Sequence, residues 1–145
     1  MLGLIQRVSE ARVIVSGETV GEIQRGILLL LGVQKHDDTQ SALKLLNKVI
    51  SYRIFPDDAG HMNVSLNDVG GELLIVSQFT LAADTNKGLR PSFSSAAAPA
   101  IAESLYETFV SLAKGQLASV QTGRFGAHMQ VELVNDGPVT FLLET

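Results

Sequence analysis

The sequence predicts an α+β fold built on an antiparallel or mixed β-sheet. Three observations carry that prediction. Two segments place apolar residues at helical spacing, one around residues 42–50 and one around 98–112. About eight short stretches read as strands, mostly joined by short turns. No β-α-β alternation with a glycine fingerprint is present, so a doubly wound dinucleotide-binding fold is excluded. At 145 residues the chain is expected to form a single domain over 1–145.

Residues 2–8 and 11–16 are predicted as two strands, with Val13 and Val15 alternating with Arg12, Ile14 and Ser16. Ser16-Gly17-Glu18 signals a turn, and residues 19–23 return as a third strand. Gly26 interrupts the pattern, and the run from Ile27 to Val33 is then apolar on both faces, as in a strand covered from both sides. Asp37-Asp38-Thr39 offers helix N-caps, and Ala42, Leu43, Leu46, Val49 and Ile50 follow at helical spacing. That helix must end before Pro56. Residues 55–60 read as a loop, 62–66 as a short edge strand, 67–71 as a turn and 72–81 as a strand. Residues 84–95 contain Gly88 and Pro91 and little periodicity, and read as a functional loop or lid. The second helix covers about 98–114, with Pro99 tolerated in its first turn and Gly115 as its C′ residue. Its buried stripe is Ala98, Ile101, Ala102, Leu105, Phe109 and Leu112. Strands at 118–122, 128–134 and 139–143 complete the chain, with a turn at 123–126.

The bulk numbers narrow the class of protein. Apolar residues make up 46% and charged residues 18%, which fits an ordinary globular chain able to bury about two thirds of its unfolded surface. There is no cysteine, which excludes a disulfide framework, a thiolate metal site and a cysteine nucleophile, and suits a reducing cytoplasm. The first residues carry no basic leader followed by an apolar core, and the run from Ile27 to Val33 is too short to span a bilayer, so neither secretion nor membrane insertion is expected. A net charge of -4 speaks against broad, nonspecific nucleic-acid binding and leaves room for contact with one end of an RNA. Lys87 and Arg90 form the one modest basic cluster.

Standard catalytic inventories are empty. There is no Gly-x-Ser-x-Gly elbow, no His-Glu-x-x-His and no P-loop. His36, His61 and His128 are not spaced as a metal pincer, and no bound metal is expected. What remains is Ser77-Gln78-Phe79-Thr80-Leu81, at the end of the apolar run Leu73-Leu74-Ile75-Val76, and Asn135-Asp136-Gly137-Pro138-Val139-Thr140 late in the chain. The first stretch offers backbone N–H groups able to hold an oxyanion, alongside two hydroxyls. It also reads as a strand end whose hydroxyls cap their own backbone. In the second stretch, the Gly137-Pro138 bond is one where a cis peptide is cheap, and it also reads as an ordinary turn.

Ser-Gln-Phe-Thr-Leu and Asn-x-Gly-Pro-Val-Thr, in this order, resemble the two signature motifs of the D-aminoacyl-tRNA deacylases. The resemblance extends over the whole chain, through Arg7, Lys87-Gly88-Leu89-Arg90-Pro91-Ser92-Phe93 and Phe125-Gly126-Ala127-x-Met129. It implies a barrel-like α+β deacylase fold with two main helices, a homodimer with shared active sites, and no cofactor. The expected substrate is the 3′ acceptor end of an aminoacyl-tRNA. By resemblance, Ser77, Gln78, Phe79, Thr80 and Leu81 line the pocket, and the amides of Phe79 and Thr80 face the scissile ester. The 2′-hydroxyl of the terminal adenosine would assist catalysis. Gly137 and Pro138, joined by a cis bond, would enter the pocket of the other subunit, hold the α-amino group and exclude an L side chain while letting glycine through. Arg7 would fix that loop, and Ala127 and Met129 would line the substrate site. Phe79 and Val139 resemble the strict, D-specific branch. Two rivals remain from the residues alone: a non-catalytic dimeric binding module for D-amino acids or an RNA end, and a general esterase with Thr80 as nucleophile.

Overall fold

The computed structural model describes residues 1–145. In chain order the elements are β1 (Leu2–Val15), β2 (Glu18–Ile23), β3 (Gly26–Gly32), α1 (Thr39–Ser51), β4 (Phe55–Pro56), β5 (Met62–Val64), α2 (Leu66–Val69) and β6 (Glu72–Ser77). A 3-10 turn (Phe79–Ala82), α3 (Pro99–Gln116), β7 (Val120–Thr122) and β8 (Gln130–Glu144) follow. The main sheet runs β2-β1-β3-β6-β7, with β8 also paired to β1. β3, β6 and β7 are parallel to one another and the remaining pairs are antiparallel. The α+β prediction with a mixed sheet is therefore borne out.

The sheet curls until its edges nearly meet. A Cβ on Gly21 of β2 would lie 2.3 Å from the carbonyl oxygen of Thr122 on β7, so only glycine lets the two edges approach this closely. The curl creates two apolar compartments. Ile27, Leu29 and Leu31 of β3 join Leu73 and Ile75 of β6 beneath α1 and α3. Leu28, Leu74 and Val76 point the other way, into a smaller core with Val8, Val13 and Ile23. Because successive strand residues face opposite sides, burial on both faces demands the unbroken apolar run read from the sequence.

Several boundaries differ from expectation. Residues 2–16 do not form two strands. β1 continues through exposed Ser9 and Glu10, and irregularities in its pairing with β8 absorb the bend. The strand predicted to reach Leu81 stops at Ser77. The turn predicted at 67–71 contains α2, capped by Ser65 and Asp68. The Asp68 carboxylate accepts from the Ser65 N–H at 2.9 Å, and Gly70 ends the helix in the left-handed region. Gly115 is not a C′ residue, because α3 continues to Gln116. Most of each predicted helix stripe is buried, including Ala42, Leu46, Val49 and Ile50 of α1 and Ala102, Leu105 and Phe109 of α3, and the edges differ. Leu45 is buried where Leu43 was expected, and Tyr106 and Ala113 are buried while Ile101 is 54% exposed.

Asp38 is the N-cap of α1, in a reciprocal pair with Ser41. Asp37 does something else. Its carboxylate receives the Met1 ammonium at 2.5 Å and the Gln34 N–H at 2.6 Å, with the Met1 side chain fully buried. No helix is long and apolar enough to cross a membrane.

Candidate functional site

β6 carries its ladder one residue past its end, as the Gln78 N–H donates to the Leu31 carbonyl at 2.8 Å. Gln78 then leaves strand geometry (φ -139°, ψ 81°), and the 3-10 turn begins. The Leu81 and Ala83 N–H groups donate back to Gln78 and Thr80. The amides of Phe79 and Thr80 come first in this turn and have no acceptor within the chain. The opening N–H groups of any helical turn are left this way. The Gln78 side-chain amide donates to the Thr80 hydroxyl, and no base is bonded to that hydroxyl.

The corner borders a cavity of about 460 Å³. Ser77, Gln78, Phe79, Ala127 and Met129 line it, whereas Thr80 and Leu81 stand outside. The Phe79 ring is 62% exposed and lies 5.0 Å from the ring of Phe93, which anchors the 84–95 loop beside the mouth. The opposite wall comes from α3 and the segment before β8. Tyr106 and Phe125 have ring centroids 5.6 Å apart, and the Tyr106 hydroxyl donates to the Ile75 carbonyl at 3.1 Å. Burial pushes the Tyr106 phenol up to about 12, with a hydrogen bond to Thr122 working the other way. It therefore stays a neutral donor throughout the physiological range. The Gly123 N–H donates to the same Ile75 carbonyl at 2.9 Å, tying the Gly123–Met129 turn to β6.

The second predicted stretch is a bulge on β8. Gln6 of β1 pairs with Thr140 and Val8 with Asn135, so Asp136, Gly137, Pro138 and Val139 stand out of the ladder opposite Arg7. The Gly137–Pro138 bond is cis. Arg7 donates to the Asp136 carbonyl at 2.8 Å and to the Ile54 carbonyl at 2.6 Å, and its guanidinium lies 3.6 Å from the Asp136 carboxylate. Asn135 closes the loop from inside. Its carbonyl oxygen accepts the Val139 N–H at 2.7 Å, and its amide donates to the Thr140 hydroxyl at 2.9 Å. Gly137, Pro138 and Arg7 do not reach the cavity of their own chain.

Sequence reasoning thus found both halves but assigned no role to three supports. Asn135 was legible only as part of a motif; its signal is an amide and a hydroxyl flanking a Gly-Pro within a strand-like run. Phe125 was likewise legible only as part of a motif, and Tyr106 carries no local signal, because only the fold brings α3 over the end of β6.

The fold defines the class of protein first. A solved structure named c-Myc DNA Unwinding Element Binding Protein matches with a TM-score of 0.96 at 38% identity, covering 100% of this chain and 99% of that one. A probable eukaryotic D-amino acid tRNA deacylase shares the fold at a TM-score of 0.84 and 16% identity, covering 99% of this chain and 98% of that one. The class is a barrel-like α+β fold. The family model described as D-Tyr-tRNA(Tyr) deacylase matches residues 4–144. The D-aminoacyl-tRNA deacylase of Stutzerimonas stutzeri (strain A1501) is 62% identical over 145 residues, covering 100% of both chains. That of Pseudoalteromonas translucida (strain TAC 125) is 62% identical over 143 residues, 99% of each. The chain belongs to the D-Tyr-tRNA(Tyr) deacylase family, a family of hydrolases.

Proposed function

We propose that this protein hydrolyses the ester of D-aminoacyl-tRNA in the cytoplasm, releasing free D-amino acid and tRNA. Glycine mischarged on tRNA for alanine would be cleared by the same site. The observation that carries this reading is the pair of unengaged amides, Phe79 and Thr80, presented at the corner beside the cavity. In the reaction, water adds to the ester carbonyl carbon and the carbonyl oxygen gains negative charge. Two preorganised N–H donors there stabilise the charge, and removing one such donor typically costs about 3–4 kcal/mol. The bond from carbon to the ribose oxygen then breaks, and that oxygen takes up the proton that the attacking water gives up. The neighbouring ribose hydroxyl of the substrate is placed to relay it. No cofactor enters this scheme.

The proposal includes a homodimer with shared sites. Two features support it. The Gly137–Pro138 bulge stands away from its own chain's cavity, so it is free to serve a partner's. β8 is also an outer strand, pairing only with β1, and it leaves Val134, Phe141 and Leu142 exposed. Backbone from that bulge would hold the substrate α-amino group and occupy the space an L side chain needs. Ser77, Gln78, Ala127 and Met129 would shape the remaining walls, with Leu81 supporting the turn.

The test is deacylation of one tRNA charged in parallel with D-tyrosine and L-tyrosine, at substoichiometric protein. Rapid catalytic release of the D form alone is expected. Equal release of both would point to a general esterase, and release limited to one equivalent would point to a binding module. Thr80→Ala separates the two hydrolytic mechanisms. With main-chain catalysis kcat should fall less than about tenfold, since the Thr80 amide remains. A loss on the order of a millionfold, as for a deleted nucleophile, would make the hydroxyl the attacking group.

A further inference from the structure

We infer that the 84–92 loop, with Lys35 at its base and Arg124 on the opposite side of the cavity, is a landing for the phosphates of the single-stranded 3′ end of the RNA. The inference rests on the proposed reaction and adds the surface that reads the substrate beyond its terminal ester.

The loop is held in shape before anything binds. Asp84 and Ser92 exchange backbone hydrogen bonds of 2.7 and 3.0 Å. The Asp84 carboxylate accepts from the Asn86 N–H at 2.9 Å and from the Asn86 side-chain amide at 2.7 Å, which fixes the turn. Behind the loop, the Ser95 hydroxyl donates to the Ala82 carbonyl, and the Lys35 N–H donates to the Ser95 carbonyl at 3.1 Å. Contact between Phe93 and Phe79 sets this assembly against the cavity mouth.

Its charge is then out of character with the rest of the molecule. Lys87 and Arg90 are exposed at the tip, and Asp84, the only acid from 84 to 95, is engaged with Asn86. Arg124 is exposed next to Phe125, a cavity-lining residue, and Lys35 is exposed at the loop's base. The three ion pairs of the chain use Met1, Arg7 and Arg12, so none of these four cations is neutralised. Acids gather elsewhere, as where Glu10, Glu22 and Glu132 line a groove against β8. On a chain of net charge -4, this arrangement repels a polyanion broadly and attracts it at the cavity rim. Four solvated cations scattered over the surface would not do so.

The experiment compares the wild type with the Lys87→Glu/Arg90→Glu double variant on two substrates: D-tyrosyl-tRNA, and D-tyrosyl-adenosine, which carries the ester but no phosphate. The variant is expected to lose at least about tenfold in kcat/KM on the tRNA, mainly through KM. It should stay within about twofold of wild type on the nucleoside ester. Log kcat/KM on the tRNA should also fall less steeply with log salt, by about 1.4 for two single-strand phosphate contacts. Equal losses on both substrates, or no loss on the tRNA, would overturn the landing. A wild type inactive on both esters would overturn the proposed reaction and the landing with it, whereas activity on both with an unaffected variant would sink the landing alone.

Discussion

Gly137→Ala is expected to lower kcat/KM on a D-aminoacyl ester at least about 100-fold, or roughly 2.7 kcal/mol of transition-state stabilisation. It should also narrow the preference for D over L. Gly137 has φ of 148°, a region that side chains rarely enter. An added Cβ would lie 2.6 Å from Cγ2 and 2.9 Å from the amide nitrogen of Val139, and 3.3 Å from an Arg7 guanidinium nitrogen. The bulge therefore has to move. A displacement of about 1 Å in a positioning element is enough for a hundredfold loss. Since Gly137 is exposed, the fold itself should survive with little change in Tm. Parallel kinetics with D- and L-tyrosyl-tRNA check the result. A wild-type rate with a wild-type D/L ratio would falsify the place given to this loop.

Asp37→Ala should strongly destabilise the fold. It leaves a buried ammonium at Met1 without its anion and the Gln34 N–H without its acceptor. Breaking a buried ion pair from one side costs about 3–5 kcal/mol, which for a chain of 145 residues is a fall in Tm of about 10 °C. Thermal or urea unfolding measures this directly. Arg12→Ala is the control, because the Arg12–Glu132 pair is about half exposed on both sides and should matter far less. Equal shifts for the two variants would remove the special standing of Asp37.

The parts legible in the sequence are those where burial imposes a period. The long helices and the doubly covered β3 were visible because each apolar position reports which side it faces. Stripe edges were less visible: Ile101 sits where helical spacing suggests burial, yet no neighbouring element reaches it. α2 is too short for periodicity, and only the Ser65-x-x-Asp68 cap marks it. The corner after Ser77 was misread as continuing strand because Phe79 and Leu81 keep the apolar alternation. The change of direction resides in the backbone of Gln78. The Ser77–Leu81 half and the Gly-Pro half of the candidate site were both legible as motifs. The grip of Arg7 on the second half came only from the resemblance and carries no local signal, because Arg7 and Asp136 are 129 residues apart and meet only through the β1–β8 ladder. Asp37 was likewise read as a cap, since its partner lies 36 residues away.

That ladder has a consequence for how the chain is made. Leu2 pairs with Glu144, and the Thr145 N–H donates to the Met1 carbonyl at 3.1 Å. During synthesis, β1 emerges more than 100 residues before its β8 partner. Until β8 docks, one side of β1 stays unpaired and Arg7 has no bulge to grip. Contacts this distant in sequence slow folding because the loop must close before they form. The corner at Phe79 and Thr80 is built on β3 and β6 and does not wait for β8, but the element proposed to check chirality is completed only when β8 docks on β1.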